Sequence, residues 1–519
     1  MQKLKSVPKI FKYILLFLAA FVLAVSFYIC MTYDIDSFEQ LLYTIRSAEG
    51  TGTDSIMGGI IIGVIATVIV FAILITPLLT EKLRTKVFVK IKIKKKKFEF
   101  PVSYVTHKLM YAVIVFAVSV LVALNNLDFF NYMSRQMQVS TIYEDYYVSP
   151  NSAQITFPEK KQNLIHIYVE SLEASNFTTA NGGLQANSYT PKLEQYALEN
   201  TSFSNGDKLG GAVTMTGTGW TTAAMIAQMM GINMKVDIYG NDYSGYSSFL
   251  GGATGIGDIL KDNGYKNYFL MGSDATFGGR RELLEQHGDY EIFDLLTARR
   301  EGKIPEDYKE WWGFEDTKLF EYAKEMLTDV SKKDEPFNFS LLTADTHFYD
   351  GYLEKGCPSI YGAQYANVFH CSDSMIYEFV EWVKTQPFAD DTTIVITGDH
   401  LTMQSDFYDT SNGFQRTVYN AFINPRAEAK NEKNRQFSTL DYFPTTLAAL
   451  GAKIEGDRLG LGTNLFSSKP TILEEMGYEK FDLELSRRSN YYNNNLLGDS
   501  YYEMQKTIKE NPEVVTGQD

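Results

Sequence analysis

Cysteine, histidine and basic residues are all scarce in this chain. It has three cysteines and six histidines among 519 residues, and its formal net charge is −15. So few thiolates disfavour a cysteine-rich zinc site. An acidic protein is also a poor partner for nucleic acid, whose phosphates need a basic surface. The chain shows no internal repeat.

Long apolar runs are present, and all lie near the N-terminus. Residues 14–31, 57–79 and 109–124 carry no charged side chain. Each approaches the ~20 residues that cross a bilayer as a helix. The first run, preceded by basic residues, also fits a cleaved signal peptide, but two further runs favour an uncleaved anchor. The sequence therefore predicts a membrane domain over residues 1–125 with three transmembrane helices.

The distribution of lysine and arginine predicts the topology. Residues 1–12 and 81–100 are basic, whereas residues 32–55 are acidic. Basic loops stay on the cytoplasmic side. The N-terminus is therefore expected in the cytoplasm of a bacterial cell, and everything beyond the third span in the periplasm or extracellular space. We predict a multi-pass integral protein of the cytoplasmic (inner) membrane.

Beyond the third run, short β-rich runs alternate with longer amphipathic stretches. NLIHIYV, YKNYFLM and TTIVITG are examples of the first kind, and KLFEYAKEMLTDV is an example of the second. This alternation predicts a mostly parallel sheet with helices on both faces, an α/β/α sandwich. We place it at residues 163–470, after a connector at 126–162. The acidic C-terminal segment is 471–519, and its NYYNNNLLGD stretch is interpreted as an irregular surface tail.

Polar side chains directly follow several of the predicted strands. Parallel strands end at one edge of a sheet, where active sites gather. A single acidic residue or histidine there is usually a cap or a structural group. The combination is more informative, because carboxylates, an imidazole and a hydroxyl together suit manganese or magnesium. The residues at these positions are Glu170, Ser273, Asp274, Arg280, Asp345, His347, Asp399 and His400.

A threonine-rich loop, TMTGTGWTTAAM at residues 214–225, leads into a run of helix-forming residues. Thr216 and Thr218 lie at or just before the predicted helix start, where a threonine hydroxyl usually caps backbone N–H groups. The alternative is a nucleophile, since the neighbouring glycines let a phosphate approach the helix N-terminus. A bound metal would lower the pKa of such a hydroxyl.

Cys357 and Cys371 are 14 positions apart in the part predicted to lie outside the cytoplasm. A lone pair there is typical of a disulfide rather than of a metal site. Closing this loop would contribute ~3 kcal/mol to stability. Two buried free thiols are the alternative.

Taken in chain order, these residues resemble a known family. Glu170 after the first strand, then GTGWT, TADTHFYDGYLEKGC, CSD and IVITGDH, are similar to motifs of the sulfatase and alkaline-phosphatase superfamily. The resemblance covers residues 163–467. Within the superfamily it is strongest to the membrane phosphoglycerol transferases that decorate osmoregulated periplasmic glucans. Lipoteichoic acid synthase is a more distant relative.

The resemblance implies a metal-dependent transfer of phosphoglycerol from phosphatidylglycerol to a glycan. Diacylglycerol would leave, and a phosphoglyceryl-threonine would form at Thr218, with His347 as acid or base. One divalent ion, Mn²⁺ or alternatively Mg²⁺, is expected. The implied metal ligands are Glu170, Thr218, Asp399 and His400. The implied substrate-binding residues are Arg280, His347, Trp220 and Asp345.

Departures from the family pattern narrow the function. A CxPxR motif is absent, which disfavours sulfate-ester hydrolysis through formylglycine. One carboxylate after the first strand favours a single metal, and GDH is followed by LTMQSD without the further histidine of lipoteichoic acid synthase. Three alternatives stay open: a phosphoethanolamine transferase using phosphatidylethanolamine, a phosphodiesterase or phosphatase, and a non-catalytic domain that binds glycan or lipid.

Overall fold

The computed structural model divides the chain into two compact units. The first comprises Met1–Phe38 and Gly52–Ser134, and the second comprises Glu39–Thr51 and Arg135–Asp519. Residues 39–51, expected within the membrane domain, thus group with the second unit. The structure describes residues 10–32, 38–46, 54–79, 88–93, 96–101, 108–236, 249–404 and 406–497.

Three long helices of the first unit can cross a membrane. The qualifying segments are Phe11–Met31, Ile60–Leu79 and Leu109–Asn126, which confirms the three predicted apolar helices. Many of their side chains are exposed, as at Val64 and Ile73, because lipid would cover them. The basic residues 1–9 and 81–87, on which the predicted topology partly rests, lie outside the described residues.

Among the described residues up to 136, the elements are five helices and a hairpin, and helices α2 and α5 cross the boundaries between the units. The two strands pair antiparallel, and α1 packs against α3 and α4. The bounds are α1 Phe11–Thr32, α2 Phe38–Arg46, α3 Asp54–Leu79, β1 Phe88–Ile93, β2 Lys96–Pro101, α4 Lys108–Asn126 and α5 Phe129–Gln136.

A six-stranded sheet organises the second unit. Its order is β6-β5-β7-β4-β8-β9, and only the pair β8–β9 is antiparallel. The central strands are continuous apolar runs because both faces of a parallel sheet are covered. The bounds of these six strands are β4 Asn163–Val169, β5 Lys266–Met271, β6 Glu291–Phe293, β7 Phe337–Leu342, β8 Thr392–Gly398 and β9 Asn420–Ile423. The preceding strand, β3 Ile155–Thr156, is not part of this sheet.

Helices cover both faces of this sheet. Alternate residues of β4 enter different cores: Leu164 and Tyr168 join one, and Ile165 and Ile167 join the other. This confirms the predicted α/β/α sandwich. The helices are α6 Ile142–Tyr146, α7 Pro191–Glu199, α8 Thr221–Met230, α9 Ile256–Asp262, α10 Arg280–Gln286, α11 Leu295–Arg300, α12 Asp316–Val330, α13 Gln364–Lys384, α14 Tyr442–Ala449, α15 Ile472–Met476 and α16 Tyr478–Ser486.

Three short strands complete the second unit. Strand β10 pairs with β3, and β11 pairs with β12. Their bounds are β10 Lys453–Ile454, β11 Arg458–Leu459 and β12 Gly462–Thr463.

The stretch NYYNNNLLGD is not an irregular surface tail over its described part. A π-helix spans Tyr492–Leu496, and Tyr492 is fully buried, with its ring 5.4 Å from that of Tyr143. Burial of its apolar side chains in the core favours this position more than exposure of its asparagines opposes it. The rest of the predicted segment, residues 498–519, lies outside the described residues.

The two cysteines of the second unit form the predicted disulfide. Cys371 lies in α13, and its Cα is 5.6 Å from that of Cys357. The bond ties the loop after β7 to the helix that follows it.

Candidate active site

Two neighbouring strands deliver a buried cluster at their carboxyl ends. Strands β4 and β8 pair up to Val169 and Gly398, so the next residues, Glu170 and Asp399, emerge side by side. With His400 they form what we name the metal-site cluster, whose ligand atoms all lie within 4.8 Å of one another. These three residues are among the metal ligands predicted from the sequence, and the structure brings them together.

Backbone hydrogen bonds fix the cluster. The amides of Ser171 and His400 both donate to Asp399 Oδ1, at 2.8 and 2.7 Å. Ser171 has a φ of 57°, a left-handed conformation that costs energy for a residue with a side chain. The amide of Glu170 donates to Thr343 Oγ1 at 3.0 Å, which ties the cluster to the end of β7. The carboxylates are therefore preorganised.

The electrostatics of the cluster favour a cation. Nδ1 of His400 lies 2.7 Å from the carbonyl oxygen of Leu401, as a donor would. With the proton there, Nε2 presents a lone pair 3.5 Å from Glu170 Oε1 and 3.4 Å from Asp399 Oδ2. Among the described residues, Asp399 Oδ2 is buried without a hydrogen-bond partner. Such a convergence of acceptors fits a divalent metal ion.

The pKa shifts of the two carboxylates also favour a bound cation. Burial and the charge of Glu170 raise the pKa of Asp399 to about 7. Burial also opposes ionisation of Glu170, but the nearby His400 and His347, which attract its negative charge when they are protonated, hold its pKa below the ordinary value. The two carboxylates thus compete for one compensating charge, which a divalent cation supplies better than a proton does.

Thr221 is the hydroxyl that faces this cluster. It is the first residue of α8, and its Oγ1 lies 3.3 Å from Glu170 Oε2 and 3.5 Å from His400 Nε2. Small and unbranched residues form this helix, which ends at Gly231 with a φ of 64°. The N-terminus of α8 therefore adds a favourable field for an anion beside Thr221.

Thr218, chosen as nucleophile and ligand from the sequence, does not join the cluster. Its hydroxyl donates to the carbonyl oxygen of Met215 and accepts from the Met215 amide, both at 2.9 Å, and it is wholly buried. Thr216 is bonded to Asp482 instead. The hydroxyl that lies next to the metal-site cluster is therefore that of Thr221 and not that of Thr218. The start of the helix could have indicated Thr221 from the sequence, because a hydroxyl on the first helical residue projects beyond the capping turn.

Arg280 lies at the start of α10, after a turn that contains Gly278 and Gly279 with φ of 68° and 66°. The guanidinium is almost wholly buried and donates to the carbonyl oxygens of Phe277 and Asp274, both at 2.9 Å. Burial lowers its pKa, and the charge of Glu170 counteracts this. Arg280 is thus held rigidly within electrostatic reach of the cluster.

His347 follows β7 and is half-buried against aromatic rings. Its ring centroid is 4.6 Å from that of Trp312, and Nδ1 lies 2.5 Å from the carbonyl oxygen of Phe348. Burial lowers the pKa of His347, while the charge of Glu170 raises it in part. A neutral imidazole that donates through Nδ1 keeps Nε2 as a base. Trp312 was not anticipated from the sequence.

Trp220 and Asp345 were the remaining predicted substrate-binding residues. Trp220 precedes α8, and its buried Nε1 has no hydrogen-bond partner among the described residues. Asp345 lies beside other acids: its carboxylate accepts from the Asp316 amide at 3.4 Å, and burial, Asp316 and Glu354 raise its pKa well above the ordinary value. Asp345 therefore belongs to a second group of acids, and its substrate-binding role stays a prediction.

Known proteins are similar in sequence to this region. The sulfatase family model matches residues 162–452. Phosphoglycerol transferase I of Shigella flexneri is 32% identical over 340 residues, which cover 62% of this chain and 41% of that protein. The enzyme of the same name from Escherichia coli (strain 55989) is 31% identical with the same coverage. The chain spans about two fifths of the length of these curated relatives.

A solved structure gives a weaker likeness. The lipoteichoic acid synthase LtaP from Listeria monocytogenes has a TM-score of 0.47 and 21% identity, over 61% of this chain and 79% of that one. The family match has more weight. It covers more than half of the chain, the whole six-stranded sheet, and Glu170, Thr221, Asp399 and His400. The chain belongs to the sulfatase family.

Proposed function

We propose that this protein transfers phosphoglycerol from phosphatidylglycerol to an extracytoplasmic glycan, with Thr221 as the nucleophile. The observation that carries the proposal is the Thr221 hydroxyl at the start of α8, 3.3 Å from Glu170 and 3.5 Å from His400. The names of the curated relatives support the reaction class. Three membrane-capable helices in the same chain suit a lipid donor.

Glu170, Asp399, His400 and Thr221 would together hold one divalent ion. This donor set of two carboxylates, an imidazole and a hydroxyl fits Mn²⁺, with Mg²⁺ as the alternative. When bound, the ion lowers the pKa of the threonine hydroxyl and neutralises charge on the phosphate.

The other steps of the transfer reaction are assigned to individual side chains. Thr221 Oγ attacks phosphorus, and a phosphoglyceryl-threonine forms as diacylglycerol leaves. Arg280 and the N-terminus of α8 stabilise the charge of the phosphoryl oxygens. His347, neutral at rest, takes the proton of the Thr221 hydroxyl and passes it to the departing diacylglycerol oxygen. It later takes the proton of the attacking glycan hydroxyl and returns it to the Thr221 oxygen as the phosphoglycerol group leaves. Such a sequence predicts ping-pong kinetics.

The setting of this reaction is proposed as well. We place the protein in a bacterial cytoplasmic membrane with a cytoplasmic N-terminus. The second unit then faces the periplasm or the extracellular space, where the glycan acceptor lies. The phosphoethanolamine transferase and phosphodiesterase alternatives use the same residues and differ in the donor head group or in the acceptor.

Mass spectrometry of the protein after incubation with phosphatidylglycerol vesicles and Mn²⁺ tests the proposal. We expect a glycerol-phosphate mass on the peptide that contains Thr221, located by fragmentation. It should be absent in Thr221→Ala and present in the matched variant Thr218→Ala. An adduct from phosphatidylethanolamine alone would favour the other transferase. If neither lipid modifies the protein or is consumed, the proposed function is wrong and a binding role remains.

A further inference from the structure

Helix α2 belongs to the second unit although its sequence lies between two membrane-capable helices. Residues 39–51 group with residues 135–519, whereas α1 and α3 on either side belong to the first unit. Glu39, Gln40 and Tyr43 are almost wholly buried. A helix of nine residues is too short to be stable alone, so the burial of these side chains indicates that α2 packs against another part of the second unit.

The docking surface consists of the loops around the candidate active site. The Tyr43 hydroxyl donates to the carbonyl oxygen of Gly278. Its ring lies 5.8 Å from that of Trp220, which precedes Thr221. Gln40 Nε2 lies 3.5 Å from Met403 Sδ, three residues beyond His400. One face of α2 thus contacts three loops that carry site residues.

The contact at Gly278 acts on the turn that presents Arg280. The same carbonyl oxygen also accepts from Thr222 Oγ1 at 3.0 Å, so hydroxyls from two helices hold it. Gly278 and Gly279 are both left-handed, a conformation that glycine adopts easily and also leaves easily. The turn has internal hydrogen bonds, such as that from the Gly279 amide to the Thr276 carbonyl oxygen at 3.1 Å. The bonds from Tyr43 and Thr222 add support from outside it at Gly278.

We propose that Tyr43 is a positioning residue for Arg280, and that α2 thereby forms part of the wall of the donor head-group site. This inference rests on the proposed function. The hydroxyl holds the Gly278 carbonyl, the held turn fixes the Arg280 backbone, and the guanidinium keeps its orientation toward the phosphate. The second unit without α2 would keep its sheet and metal-site cluster but bind the lipid head group weakly.

Kinetics of the full-length protein in detergent–lipid micelles test the role of the hydroxyl. Tyr43→Phe keeps the ring on Trp220 and removes one hydrogen bond. We expect KM for phosphatidylglycerol to rise about fivefold with little change in kcat, as the loss of one net hydrogen bond predicts. Tyr265→Phe is the matched control, because its buried hydroxyl bonds the Gln162 carbonyl at the other end of β5. It should leave KM unchanged.

Cross-linking tests the docking of α2 without any assay of activity. Gln40→Cys and Met403→Cys, in a Cys30→Ser background, should be joined by a short bismaleimide in the full-length protein and be found as one cross-linked peptide pair. The cross-linked protein should keep its transfer activity, since α2 is part of the working site.

The outcomes separate this inference from the proposed function. If the wild type transfers phosphoglycerol but Tyr43→Phe has the wild-type KM, the role of Tyr43 is refuted. Failure to cross-link, or a cross-linked protein that is inactive, would mean that α2 does not form a permanent wall. If the wild type forms no adduct with either lipid, the proposed function fails, and the positioning role of Tyr43 fails with it. The cross-link then still reports whether α2 docks as described.

Discussion

Two groups of buried acids occupy the same sheet edge, and they are neutralised in different ways. In the metal-site cluster, the acceptor atoms of Glu170, Asp399 and His400 lie close to one another. Among the described residues, Asp399 Oδ2 has no hydrogen-bond partner. The second group, which we name the loop acid cluster, consists of Asp316, Asp345 and Glu354. Its carboxylates accept backbone amides. Asp345 Oδ1 also has no hydrogen-bond partner among the described residues, but the described residues bring no histidine ligand atom to this group as His400 comes to the first.

The details of the loop acid cluster explain the contrast. Asp316 accepts from the amides of Ala344 and Asp345 at 2.8 and 3.2 Å. Burial raises the pKa of Asp316 to about 7, and burial together with Asp316 raises that of Asp345 well above its ordinary value. This cluster therefore holds the loop that carries His347 against the start of α12. Buried carboxylates indicate a metal only where backbone donors and protons do not already satisfy them.

The largest difference between the clusters should appear in catalysis, at the hydroxyl that faces the first of them. Thr221→Ala removes the proposed nucleophile and should lower the transfer rate at least ~10³-fold, measured with radiolabelled phosphatidylglycerol. Thr218→Ala loses only the bonds to Met215 and should remain active in proportion to its folded fraction. Equal inactivation of the two variants, with both folded, would return the assignment to Thr218.

Metal binding should separate the clusters next. Asp399→Asn takes away a charged ligand, and Mn²⁺ affinity measured by calorimetry should fall at least ~100-fold. The rise in melting temperature on adding Mn²⁺ should disappear with it. Asp345→Asn is the comparison variant and should bind Mn²⁺ as the wild type does. Loss of metal affinity in both variants would show that the two clusters form one site.

The sequence predicted the parts of the site that the sheet determines. Glu170, Asp399 and His400 follow apolar strands directly, and parallel pairing brings such positions to one edge whatever the loops do. The choice between Thr218 and Thr221 depends instead on one turn. In that turn the Thr218 hydroxyl donates to the Met215 carbonyl oxygen and is directed inward. The spacing of residues in the sequence does not indicate such a bond.

Contacts between residues distant in the chain also could not be predicted from the sequence. The substrate-binding role of Asp345 stays a prediction, but the sequence did not reveal that Asp316, at the start of α12, accepts hydrogen bonds from the loop that carries Asp345. Helix α2 looked like part of a loop between spans, and its burial depends on a surface that begins more than 150 residues later in the chain. Both outcomes depend on which tertiary partner is available.

Stability should respond to the loop acid cluster more than catalysis does. Asp316→Ala leaves the buried amides of Ala344 and Asp345 without an acceptor, which should cost about 2–3 kcal/mol of unfolding free energy. Asp316→Asn keeps one acceptor oxygen and should cost less. Thermal unfolding in detergent, followed by tryptophan fluorescence, measures both. Unchanged stability in the alanine variant would mean that water replaces the carboxylate and that the loop is not held by it.

The smallest expected effect is a difference in pH dependence between the clusters. The pKa of Asp316 is about 7 in the folded protein, against an ordinary value of 3.8. The native state therefore binds more protons than the unfolded chain in that window, and stability falls as pH rises through it. With a chelator present, the melting temperature should decline from about pH 4 to about pH 7. Asp316→Asn should reduce the slope without abolishing it, because burial also raises the pKa of Asp399, Asp373 and Asp441.

Adding Mn²⁺ should give the opposite trend. Metal ligands must lose their protons before they bind, so the increment in melting temperature caused by Mn²⁺ should grow as pH rises. Asp316→Asn should leave this increment as it is in the wild type, because Asp316 belongs to the cluster that backbone amides satisfy. An Mn²⁺ increment that is flat with pH would mean that protons do not compete for Glu170 and Asp399, and the distinction between a proton-neutralised and a metal-neutralised cluster would then fail.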